Sequence, residues 1–114
     1  MIDVNTEAEK SLKKTGYNVV FQYPKSFTNL PVISFYTISE SGSFSCDNDE
    51  AIQDGTIVAD IWTKSPKEGG AISVTVNSVL SQDGWTRDFS RDVPGEEKNI
   101  YHKTMRFTKS IIND

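Results

Sequence analysis

The feature that most constrains this chain is that the spacing of its apolar residues switches three times. Val4, Ala8 and Leu12 fall four apart, so they share one face of a helix over about residues 3–15, with Glu7, Lys10, Lys13 and Lys14 mostly on the others. Gly16 follows where a helix C-terminal cap belongs. The pattern then becomes that of strands. Residues 17–21 are β-branched and aromatic and end at Tyr23-Pro24. Leu30-Pro31 opens a second run over 32–38, with Ile33 and Phe35 on one side and Val32, Ser34, Tyr36 and Ile38 on the other. Over 56–63, Ile57, Ala59 and Ile61 oppose Val58, Asp60 and Trp62.

The helical spacing returns after Thr63. Ser65 is placed as an N-cap, Pro66 at the first helical position, and Glu68 three residues on completes a capping box. Ile72, Val76, Val79 and Leu80 form the apolar stripe behind it. Gly69-Gly70 and the β-branched run from Ile72 to Val76 pull towards a strand, but cap and stripe together favour the helix. Asp83-Gly84 ends it. Trp85, Arg87, Phe89 and Arg91 then alternate with Thr86, Asp88 and Ser90, and Pro94-Gly95 marks a turn. In the last strand, 99–108, Tyr101, Lys103, Met105 and Phe107 oppose Ile100, His102, Thr104 and Arg106.

The order is therefore α-β-β-β-α-β-β. It predicts a single α+β domain over residues 1–114, a largely antiparallel sheet with two helices packed on one face. The other face carries Trp62, His102 and Arg106, a mixture better suited to a partner than to bulk water. Residues 39–55, rich in Ser and holding Asp47, Asp49 and Glu50 within four positions, read as a flexible acidic loop; connections of this length are often functional or mobile.

Reactive chemistry is sparse. The chain has 114 residues, one Cys and one His, and a formal charge of −4. That charge disfavours nucleic-acid binding as a main task, and Lys10, Lys13 and Lys14 read as a solvated helix face. Cys46 alone forms no intramolecular disulfide, and no apolar run approaches a membrane span or a signal core, so the expectation is an intracellular chain. His102 lacks a serine nucleophile motif, and nothing local supports a Cys46–His102 dyad. One Cys and one His do not make a zinc site. Asp47-Asn48-Asp49 opens like a calcium loop, but Ala51 and Ile52 stand where an oxygen ligand and the turn glycine are needed. The carboxylate pairs Asp88/Asp92 and Glu96/Glu97 lie beside Arg87, Arg91 and Lys98 and read as solvated charge. No catalytic, cofactor or metal residues are expected, and the chain reads as a protein that works by protein–protein contact.

Five segments taken together resemble the tail-completion proteins of long-tailed bacteriophages and prophages, also called tail terminators or head–tail joining proteins. They are Gly16 to Pro24, Leu30 to Tyr36, Ile57 to Lys67, Trp85 to Phe89 and Ile100 to Phe107. The strand ending Trp62-Thr63-Lys64-Ser65-Pro66 and the run Tyr101 to Phe107 are the more specific of these. The helix after Pro66 departs from the family pattern in being richer in Gly and β-branched residues. The resemblance implies a structural protein of the virion tail or neck, assembled in the host cytoplasm. It also implies an α+β fold, no cofactor, no catalytic residues, and a ring of its own copies, usually a hexamer. That ring caps the tail-tube protein and docks it to the head connector proteins, while genome DNA passes through without specific binding. Asp47, Asp49 and Glu50 would then line the lumen or serve as an assembly arm. Phe44, Trp62 and Arg106 are the candidate contact residues, with core packing as the competing role for Trp62 and the expected one for Trp85. Two other readings compete: a head-completion (stopper) protein of the same neck, and a small ligand-binding or hydrolytic α+β domain.

Overall fold

The computed structural model describes residues 2–46, 49–95, 97 and 99–112, with side chains outside 42–51. Its elements run α1 (Val4–Lys13), β1 (Asn18–Phe21), β2 (Val32–Cys46), β3 (Asp49–Thr63), α2 (Pro66–Gln82), β4 (Thr86–Val93) and β5 (Tyr101–Ile112). The five strands form one sheet in the order β1-β2-β3-β5-β4, antiparallel except for the β1–β2 pair. The α+β class read from the periodicity is the class observed.

Both helices pack on one face, and their stripes are as spaced in the sequence. Val4, Ala8 and Leu12 of α1 and Ile72, Val76 and Leu80 of α2 meet Ile33, Phe35, Ile57, Ala59, Ile61, Met105 and Phe107 from the sheet. Trp85 is buried in this core, as expected for it. At the start of α1, Asp3 accepts from the Asn5 N–H and the Thr6 hydroxyl. At α2, the Ser65 hydroxyl accepts from the Glu68 N–H at 3.1 Å, and Glu68 returns a bond to the Lys64 N–H rather than to Ser65. The helices are tied together where α2 ends. Asp83 accepts from the Ser11 hydroxyl at 2.6 Å and from Lys14 at 2.9 Å, and these bonds, the serine's first, hold its carboxyl below the usual aspartate range. Gly55 is where α1 comes closest to β3: a Cβ there would lie 2.7 Å from the Val4 methyls, so no side chain fits.

Two expectations need correction. The described residues of the 39–55 segment, 39–46 and 49–55, are strand rather than loop: β2 and β3 continue through them as an antiparallel ribbon, paired from Ser39↔Thr56 to Cys46↔Asp49 with register shifts along the way. The last described pair of β3 with β5 is Ile52↔Ile112, and β2 and β3 remain paired past it. The molecule is correspondingly long, 54 × 24 × 22 Å. The segment hid a strand because the apolar alternation of a half-buried strand is missing there: at its base the positions turned to the helix side are Gln53 and Gly55.

The second correction concerns β4. Arg87 pairs with Phe107 but Phe89 pairs with Arg106, so Asp88 is an extra residue, a β-bulge. The bulge reverses the phase of the strand. Trp85 and Arg87 belong to the helix side, whereas Phe89 and Arg91 belong to the opposite face. The single alternation expected over 85–91 is thus broken at its midpoint.

Candidate functional site

The face of the sheet turned away from the helices is where polar and aromatic side chains gather. Register alone sets it out in rows across β2, β3, β5 and β4: Val32–Trp62–His102–Val93, then Ser34–Asp60–Thr104–Arg91, then Tyr36–Val58–Arg106–Phe89. Trp62, His102 and Arg106, grouped on one face by sequence alternation, do share it.

The first two rows form a closed network. The Trp62 indole stacks on His102 with ring centroids 3.8 Å apart and an interplanar angle of 13°. Its Nε1–H donates to the buried Ser34 hydroxyl at 3.0 Å, and His102 Nε2 lies 2.7 Å from Asp60 Oδ1. Tyr23 and Phe27 close over the indole, at 5.2 and 5.0 Å between centroids. These two arrive there because β1 and β2 are parallel: after Phe21 the chain must return to the start of β2, and residues 22–31 make that crossing over the outer face. Trp62 is left 7% exposed and Tyr23 59%. Trp62 is therefore core to this face, and the ring that meets solvent is Tyr23.

The third row is open. Tyr36 and Phe89 are each 38% exposed, and the guanidinium carbon of Arg106 sits 4.8 Å above the Phe89 ring, a cation–π contact. Arg106 Nε is buried with no hydrogen-bond partner. Among the described residues neither Arg106 nor Arg91 makes an ion pair. Of the remaining candidates, Phe44 and Asp49 and Glu50 lie on the backbone of the ribbon, with side chains outside the described residues, and Asp47 lies wholly outside them. The signal that would have found Tyr23 and Phe27 is their place just after a short strand that ends in Pro24, where the chain has to turn back.

Chemical alternatives gain no geometry here. Cys46 pairs with Asp49 at the far end of the ribbon while His102 pairs with Trp62, so about 13 residues of β3, roughly 40 Å at strand rise, separate them. No cluster of metal-ligating side chains is found among the described residues. A cleft of about 570 Å³ opens between the start of α2 and the β4–β5 connection and includes Thr63, Pro66, Gly69, Tyr101, His102 and Lys103. Among the described residues its His102 is bonded to Asp60 and its Thr63 hydroxyl to the Ser65 carbonyl, not to each other. No helix is long and apolar enough to cross a membrane. No protein-family model matches the chain, and neither does any curated protein.

Proposed function

We propose that this chain is a structural protein of a phage or prophage tail, one that caps the tail tube as a ring and joins it to the head connector. The observation carrying this reading is the ribbon of residues 39–55. A two-stranded hairpin is marginal in water by itself, and although at the base of this one Gln53 is bonded to Ile2 and Gly55 lies against Val4, β2 and β3 stay paired out to Cys46↔Asp49, past the last described β3–β5 pair, Ile52↔Ile112. Such a limb fits a chain whose purpose is to hold others. The open aromatic and cationic row, and a β4 edge on which most residues are exposed, add surfaces of the same kind. The reading involves no cofactor and no catalytic step, and the acidic ribbon suits a passage through which DNA moves without sticking.

Co-expression with a tail-tube protein tests it. The expected outcome is a stable complex containing a closed ring, near 77 kDa for six copies of 12.8 kDa, by native mass spectrometry. A chain that stays monomeric and captures neither tail-tube nor portal protein overturns the reading. Capture of portal protein alone would favour the head-completion role in the same neck.

A further inference from the structure

Charge is segregated along this chain. Residues 39–55 contain Glu40, Asp47, Asp49, Glu50 and Asp54 and no Lys or Arg, whereas the rest of the sequence holds 11 acids and 12 bases. The whole negative excess thus belongs to the ribbon. The open part of the outer face carries Arg106 and Arg91, neither of them in an ion pair among the described residues, while Asp60 is engaged by His102 and Asp88 by the Thr108 hydroxyl. Asp49, close to the end of the ribbon, is nine residues of β3, roughly 30 Å at strand rise, from the Val58–Arg106 row, so the end of the ribbon is out of reach of this row in the same copy.

We infer that the open row of the outer face, Tyr36, Val58, Arg106 and Phe89 with Arg91 beside it, is the receiving surface for the acidic ribbon of a second copy of this chain. The inference rests on the ring reading and adds to it which surfaces meet. With each ribbon on the face of the next copy the contact is heterologous, so every copy both gives and receives, and repeated about an axis it closes into a ring. A carboxylate reaching Arg106 would give its guanidinium an ion pair, and Tyr36 and Phe89, each 38% exposed, would be covered.

The test is a charge swap in the full chain, read by native mass spectrometry and sedimentation over a range of concentrations. Arg106→Glu and the double change Asp49→Lys, Glu50→Lys should each raise the concentration needed for assembly at least about tenfold, with far-UV circular dichroism and thermal midpoint close to wild type. Mixed in equal amounts, the two variants should assemble again, because in an alternating ring every ribbon meets a face of opposite sign. Should Arg106→Glu unfold the chain, Arg91→Glu at the exposed rim replaces it as the receiving variant. Wild-type rings together with unimpaired assembly of the receiving variant overturn this inference and leave the ring reading standing. So does failure of the mixture to recover, or loss of tail-tube capture with rings intact, which would make the partner protein the occupant. A wild-type chain that is monomeric under all conditions overturns both.

Discussion

The two ends of the outer sheet face use similar materials and reach different states. At one end an indole is stacked on an imidazole, its N–H is satisfied by Ser34, and Tyr23 and Phe27 lie over it. At the other a guanidinium lies on Phe89, in a row where Tyr36 and Phe89 stay partly in water. The difference originates in topology rather than composition. A parallel β1–β2 pair obliges the backbone to cross back over the first end, whereas the antiparallel β2–β3 and β4–β5 pairs make no such demand at the second. Where connectivity supplies a cover, the aromatic row becomes core; where it does not, the row remains available to something outside the molecule.

Truncation should separate the two ends. Trp62→Ala removes a buried indole with three ring contacts and a hydrogen bond, and is expected to cost about 3–5 kcal/mol in urea unfolding of the isolated chain. A loss under about 1 kcal/mol would mean that the covered end is not core and would break the comparison. Next in size, His102→Ala leaves Asp60 buried without its partner and should cost about 1–3 kcal/mol by the same measurement. A smaller effect is expected for Phe89→Ala: below about 1 kcal/mol for the isolated chain, because the ring is already partly in water. If it rivals Trp62→Ala, the open end is closed in a way these contacts do not describe.

The smallest effect gives a reference from the helix side. Asp83 has its carboxyl pKa depressed by Ser11 and Lys14, so its contribution is fully present above the ordinary aspartate range and fades as pH falls through the folded-state value. Asp83→Asn should therefore be less stable than wild type at pH 6, with the gap narrowing towards pH 3 in thermal melts. An unchanged gap would remove Asp83 as its source.

Periodicity made the helix-facing half of the molecule legible, because the physics there is simple: a stripe that must be dry shows as residues four apart on α1 and α2 and two apart on β2, β3 and β5. The Ser65-Pro66-Glu68 start is equally local and was readable for the same reason. The ribbon was not readable. Its described residues pair across β2 and β3, and the buried positions at its base are Gln53 and Gly55 rather than apolar side chains, so the usual signal of a strand is missing. The network at Trp62 was half visible: alternation placed Trp62 and His102 on one face, but the cover from Tyr23 and Phe27 depends on β1 being parallel to β2, a long-range choice that no local pattern encodes. The bulge at Asp88 left no trace in the alternation it interrupts.

That extra residue in β4 has a consequence for how the sequence can vary. Trp85 and Phe89 lie four positions apart, which in an uninterrupted strand would put both on the same side; one inserted position instead sends the first ring to the helices and the second to the arginine. Deleting Asp88 would leave a regular ladder in which Arg87, Phe89, Ser90 and Arg91 keep their partners and their faces, whereas pairing the strand without a bulge while Asp88 is retained would bring Phe89 and Arg91 under the helices and turn Ser90 outward. A gap of one residue here is hence compatible with every pairing that follows it, and a gap of two is not.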